Sequence, residues 1–174
     1  MNRRGIWMIA QIVSEQLRLE PPVSLQSICD AIGRLGGTCI EVKDDFQRPE
    51  AKISTPSNGS AERNLFTIEY VSDKPETRIL FSIAHELGHL FLHILDGNGR
   101  LKPETEYARS LISSKAEIEA NEFAAALLMP ESKFVEKCEQ IVTSDNKVNI
   151  SELACYFNVS VQAATVRGNI LRLW

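Results

Sequence analysis

No stretch of this sequence approaches 18 consecutive apolar residues, which excludes a helix able to cross a bilayer. A secretory leader is not expected either. Arg3-Arg4 precede Ile6-Trp7-Met8-Ile9-Ala10, but Gln11 interrupts the run, Glu15 follows, and no small-residue cleavage site appears. A cytoplasmic protein is the expectation. Cysteine is sparse and unpaired in sequence: Cys29, Cys39, Cys138 and Cys155 form no Cys-x-x-Cys unit. A chain of 174 residues needs no cross-links, so reduced thiols are expected and a cysteine metal site is not. Positive charge is not in excess. Nineteen Lys and Arg stand against 23 Asp and Glu, giving a net charge of −4 and no general pull toward nucleic acid. Histidine is scarcer still, with three in the whole chain.

Two of those three stand four residues apart, in His85-Glu86-Leu87-Gly88-His89. On a helix that spacing places both imidazoles on one face, about 6 Å apart along the axis, so both reach a single ion. Glu86 follows the first histidine directly, where its carboxylate can hold a water beside the metal. This is the core pattern of a zinc peptidase. The flanks, Arg78 to Ala84 and Leu90-Phe91-Leu92, make a mostly apolar helix. Polar His-Glu-His within it needs buried partners, and a metal is a good one.

A catalytic zinc takes three protein ligands and leaves one position open. Glu117, Glu119 and Glu122 compete for the third place, in a helix that runs to Pro130. At about 100° per residue, Glu117 shares a face with Ala120, Asn121, Ala124 and Leu128, while Glu119 and Glu122 lie opposite. Glu117 is therefore expected to point inward to the metal, with Glu119 the runner-up. Asn121, one turn on, is placed to hydrogen-bond a ligand histidine from behind. His93 continues the stripe from His89. However, residues at i, i+4 and i+8 span about 12 Å, too far for one tetrahedron with bonds near 2 Å. His93 is read as a helix-end histidine behind the site, its cation favoured by the helix dipole.

The segment His-Glu-Leu-Gly-His-Leu-Phe-Leu-His, followed by Glu-x-Glu-Ala-Asn-x-Phe-Ala-x-x-Leu-Leu-Met-Pro, resembles the ImmA/IrrE family of metallopeptidases. The likeness is specific over residues 78–93 and 117–130 and weaker elsewhere. It implies a minimal zincin-like peptidase with one zinc (or manganese) held by His85, His89 and Glu117, and Glu86 as the catalytic base. It also implies a protein substrate, a helix-turn-helix transcriptional repressor encoded nearby. Longer relatives carry a sensor domain, for which 174 residues leave no room.

The expected fold class is α+β, with helices around a small, mostly antiparallel sheet. Helices are expected at 6–19, ended by Pro21-Pro22, and from the Ser24 cap through Gly33. Strands are expected at Thr38–Lys43, Ala51–Thr55 and Asn64–Val71. In the last of these, Phe66, Ile68 and Tyr70 alternate onto one face. The metal helix opens at Pro75-Glu76, with Asp73 a cap, and stops near Gly97. A further helix covers 131–142. Two short helices flank Asn158-Val159-Ser160 and read like a helix-turn-helix. Residues 1–142 are taken as the peptidase domain and 143–174 as a helical appendage packed on it. With only Arg167 and Arg172 basic in the last helix, docking of protein is preferred there to direct nucleic-acid binding.

Three functions compete: a zinc endopeptidase acting on a repressor, a non-catalytic repressor-binding or toxin–antitoxin-type partner with a structural zinc, and a DNA-binding regulator. The intact Glu86 favours the first. Tyr107, ten residues before Glu117, is the candidate donor to the oxyanion, and Asn64–Val71 the candidate edge along which substrate adds as a strand.

Overall fold

Apolar spacing fixes the first element. In the computed structural model, which describes residues 1–43, 49–56, 65–102, 113–143 and 147–174, helix α1 spans Arg3–Leu17. It buries Ile6, Ala10, Val13 and Leu17, one stripe at helical period. Arg18 closes it in the left-handed conformation, before the prolines are reached. Helix α2, Leu25–Arg34, starts from a capping box in which Ser24 and Ser27 satisfy each other's backbone N–H.

Three strands follow: β1 (Gly37–Val42), β2 (Ala51–Ser54) and β3 (Phe66–Val71). Their order is β1-β3-β2. The β2–β3 ladder is antiparallel but the β1–β3 ladder is parallel, so the sheet is mixed rather than mostly antiparallel. The physical reason is burial. β3 hides Phe66, Ile68, Tyr70 and Val71, and so takes the centre with a partner on each side. This also removes β3 as a strand to which substrate can add. Among the described residues the outer edges belong to β1 and β2.

Helix α3, Glu76–His89, buries Ile79, Leu80, Ile83, Ala84, Leu87 and Gly88. Its N-cap is Pro75, with no side-chain cap; Asp73 pairs with Lys74 instead. It does not run on to a glycine stop. The backbone widens into a π-turn over Leu90–Ile94. Helix α4, Ser114–Leu128, is capped by Ser113 and lies across α3 and α1. The α3–α4 contact is close: a Cβ on Gly88 would sit 2.9 Å from the Ala120 Cα.

Helices α5 (Glu131–Gln140), α6 (Ile150–Phe157) and α7 (Val161–Leu171) complete the chain. Asn149 and Ser160 cap the last two, and Asn158 turns between them in the left-handed conformation. The pair packs on the rest through Phe134, which stacks on Phe157 at 5.4 Å and meets Trp174 at 6.5 Å. Arg167, the basic residue inside α7, is 1% exposed. Its Nε donates to the Met129 carbonyl at 3.1 Å and its guanidinium lies 4.6 Å from the Trp7 ring centre. It is therefore a packing element, and no phosphate contact can come from it. No helix among the described residues is long and apolar enough to cross a membrane.

Candidate metal centre

Helices α3 and α4 cross with His85 and His89 on one and Glu117 on the other. The two Nε2 atoms are 3.0 Å apart. Each lies 3.2 Å from a different oxygen of Glu117. Two nitrogen lone pairs and a carboxylate thus converge on one point. A tetrahedral ion with bonds of about 2.0–2.1 Å would set its ligand atoms about 3.3 Å apart, close to these separations. The donor set is also right for zinc: two imidazoles and one carboxylate.

Asn121 backs the His85 ring from the side away from Glu117. Its Oδ1 lies 2.9 Å from Nδ1, an arrangement that suits a proton on Nδ1 and a lone pair on Nε2 for an ion. His89 is more deeply set, and burial pulls it down to about 4, so it is neutral at physiological pH. Its Nδ1 is buried without a hydrogen-bond partner among the described residues.

The three glutamates of α4 divide as the period suggests, but the expected reason is corrected. Glu117 joins the histidines, yet its side chain is 50% exposed while Glu119 and Glu122 are buried. Glu117 points across a cleft rather than into the core. Glu119 contacts the amino group of Met1 and lies 3.7 Å from His93 Nε2. Glu122 accepts from Arg3 and from the Trp7 indole, and lies 3.8 Å from Arg167. His93 lies behind the site, in the π-turn that follows α3, its ring 5.7 Å from that of His89. Burial lowers its pKa, opposite to the effect expected from a helix dipole. Tyr107 lies outside the described residues.

Glu86 faces the same cleft, a cavity of about 580 Å³ bordered by residues 49–53, Phe81, Ser82 and Asn121. Burial pushes Glu86 up to about 7, against the Ile53 N–H, which donates to its Oε2 at 2.9 Å. This puts its pKa where a carboxylate both takes and returns a proton near neutrality. The Ile53 amide escapes sequence reasoning because a backbone donor leaves no mark in residue type. The rim clasp of Glu50 with Arg78 and Ser82 is similarly a product of the tertiary fold. A larger groove of about 800 Å³ between α1 and α5 holds none of these groups, so chemistry rather than volume selects the site.

Comparison with known proteins agrees with this geometry. A solved structure, a Mycobacterium tuberculosis transcriptional regulator, superposes with a TM-score of 0.60 at 18% identity. The match covers 92% of this chain and 45% of the regulator, so the chain spans less than half of that protein's length and shares its fold. No curated protein matches. A family model described as the IrrE N-terminal-like domain, Peptidase_M78, matches residues 56–169, the stretch that carries His85, Glu86, His89 and Glu117. That match takes in well over half of the sequence, and the chain accordingly belongs to this metallopeptidase family.

Proposed function

We propose that the protein is a zinc-dependent endopeptidase that cuts a protein substrate, a helix-turn-helix transcriptional repressor of a mobile element or stress operon. One observation carries the peptidase reading. A partly buried carboxylate, Glu86, stands next to three converging metal donors in a cleft walled by an edge strand. The repressor as substrate rests on the ImmA/IrrE resemblance, and the occurrence of this fold in a transcriptional regulator is in keeping with it.

His85, His89 and Glu117 would hold the ion, with Asn121 orienting His85. When bound, zinc supplies Lewis acidity, polarising the scissile carbonyl and acidifying a water. The residues of the chain do the rest. Glu86 takes the proton of the attacking water and delivers it to the leaving amine. β2 offers the substrate a backbone edge. The Ile53 N–H points away from β3 and donates to Glu86, so an extended peptide can add along this edge by exchanging that bond for its own. Tyr107 remains the proposed donor to the oxyanion.

The second reading, a non-catalytic repressor-binding partner with a structural zinc, has no use for Glu86. The test is to incubate the purified protein with the repressor encoded beside its gene, with zinc or manganese. Discrete fragments are expected from the wild type and none from Glu86→Gln. Cleavage by Glu86→Gln, or an intact repressor held in a stable complex by the wild type, would overturn the proposal.

A further inference from the structure

Cys29 on α2 and Cys39 on β1 face each other, with their sulfurs 2.7 Å apart. The separation exceeds the about 2.05 Å of a disulfide bond but is shorter than a comfortable non-bonded contact. Both are free thiols and both are only partly buried. The other two cysteines have no such neighbour: Cys138 is buried and Cys155 is exposed on α6. No chemistry assigned to the metal centre uses this pair.

We propose that Cys29 and Cys39 form a thiol–disulfide exchange site whose co-reactant is a low-molecular-weight disulfide such as oxidised glutathione. The Cys29 thiolate attacks one sulfur of the small disulfide. A protein–glutathione disulfide forms and one glutathione thiolate leaves. The Cys39 sulfur then attacks Cys29, its proton passing to the departing second glutathione. The net change is two protein thiols and one glutathione disulfide giving one protein disulfide and two glutathiones. The order of attack follows from the pair's shared hydrogen bond. It draws the Cys29 thiol below its usual range and, with burial, pushes Cys39 up, which makes Cys29 the readier of the two to attack.

The pair also occupies a meaningful row of the sheet. Cys39 lies opposite Ile68 on β3, Ile68 lies opposite Ile53 on β2, and the Ile53 N–H holds Glu86. A Cys29–Cys39 bond would fasten α2 to the strand ladder that ends at the cleft.

The experiment uses the full chain carrying Cys155→Ser, so that the exposed thiol cannot react. The protein is treated with oxidised glutathione at neutral pH, alkylated and mapped by mass spectrometry without reduction. The expected result is a Cys29–Cys39 cross-linked peptide, a protein mass lower by two hydrogens, and an unfolding midpoint higher by several degrees, all reversed by dithiothreitol. With Cys39→Ser added, the reaction should stop at glutathione on Cys29. With Cys29→Ser added, adduct formation should be slower by about tenfold or more. Full alkylation of both thiols after treatment, or glutathione on each without a cross-link, would overturn the proposal. The mapping of the protein with both thiols intact decides the matter even if a variant folds poorly.

Discussion

The backbone N–H of Ile53 donates to Oε2 of Glu86 at 2.9 Å, tying the edge strand to the proposed base. Each group satisfies the other where a substrate strand and a water would otherwise engage them. Burial nevertheless wins over this hydrogen bond in setting the carboxyl's pKa.

Opposed pH slopes follow for the metal-free protein. Glu86 rises from 4.5 to about 7 on folding, so its contribution to stability is complete below pH 4.5 and lost as pH climbs through 7. His89 falls from 6.5 to about 4, so its contribution is complete above pH 6.5 and lost as pH drops through 4. Each effect is on the order of 3 kcal/mol. These two terms should nearly cancel between pH 4.5 and 6.5. Glu86→Gln removes one of them. Urea melts of that variant should show stability rising with pH, relative to wild type, across this interval. Parallel curves for the two proteins would contradict the burial of Glu86.

Glu117→Gln should weaken zinc binding by more than about 100-fold, beyond the cost of losing an outer partner. Glu119 cannot stand in, because it is held by Met1 and His93. Competition with a chromogenic chelator measures this directly, and an affinity within tenfold of wild type would remove Glu117 from the ligand set.

Asn121→Ala should keep the fold, since the side chain is exposed, yet lower metal affinity by about 10–100-fold by freeing the His85 ring. Asn121→Asp, which still accepts from Nδ1, should restore most of it. Equal losses in both variants would argue against tautomer control.

Gly88→Ala should destabilise the protein by about 1–3 kcal/mol, because the new methyl meets the Ala120 backbone and α3 and α4 must part. Thermal unfolding measures the loss, and metal affinity should fall with it, as the two helices carry different ligands. A wild-type midpoint would mean the crossing is looser than described.

Much of this was legible in the residues. Spacing alone puts His85 and His89 together, and the helical period separates Glu117 from Glu119 and Glu122. The caps Asn149 and Ser160 place α6 and α7 where side-chain chemistry says helices begin. What escaped depends on partners far away in sequence. Alternation identifies β3 as a strand but cannot tell that it is central, nor that β1 runs parallel to it, because pairing is chosen by the whole core. The π-turn that carries His93 has no residue signature, and neither has the Ile53 amide. That Glu117 is exposed also could not be read from a helix whose buried surface extends nearly all round.

Helix α4 carries the candidate donor Glu117 on one side and two anchoring carboxylates on the others. Glu119 meets a residue 118 positions away, and Glu122 meets residues 119 and 115 positions away. Those contacts pin α4 against the start of α1 and spend both carboxylates there, so Glu117 alone of the three is left free to face the histidines.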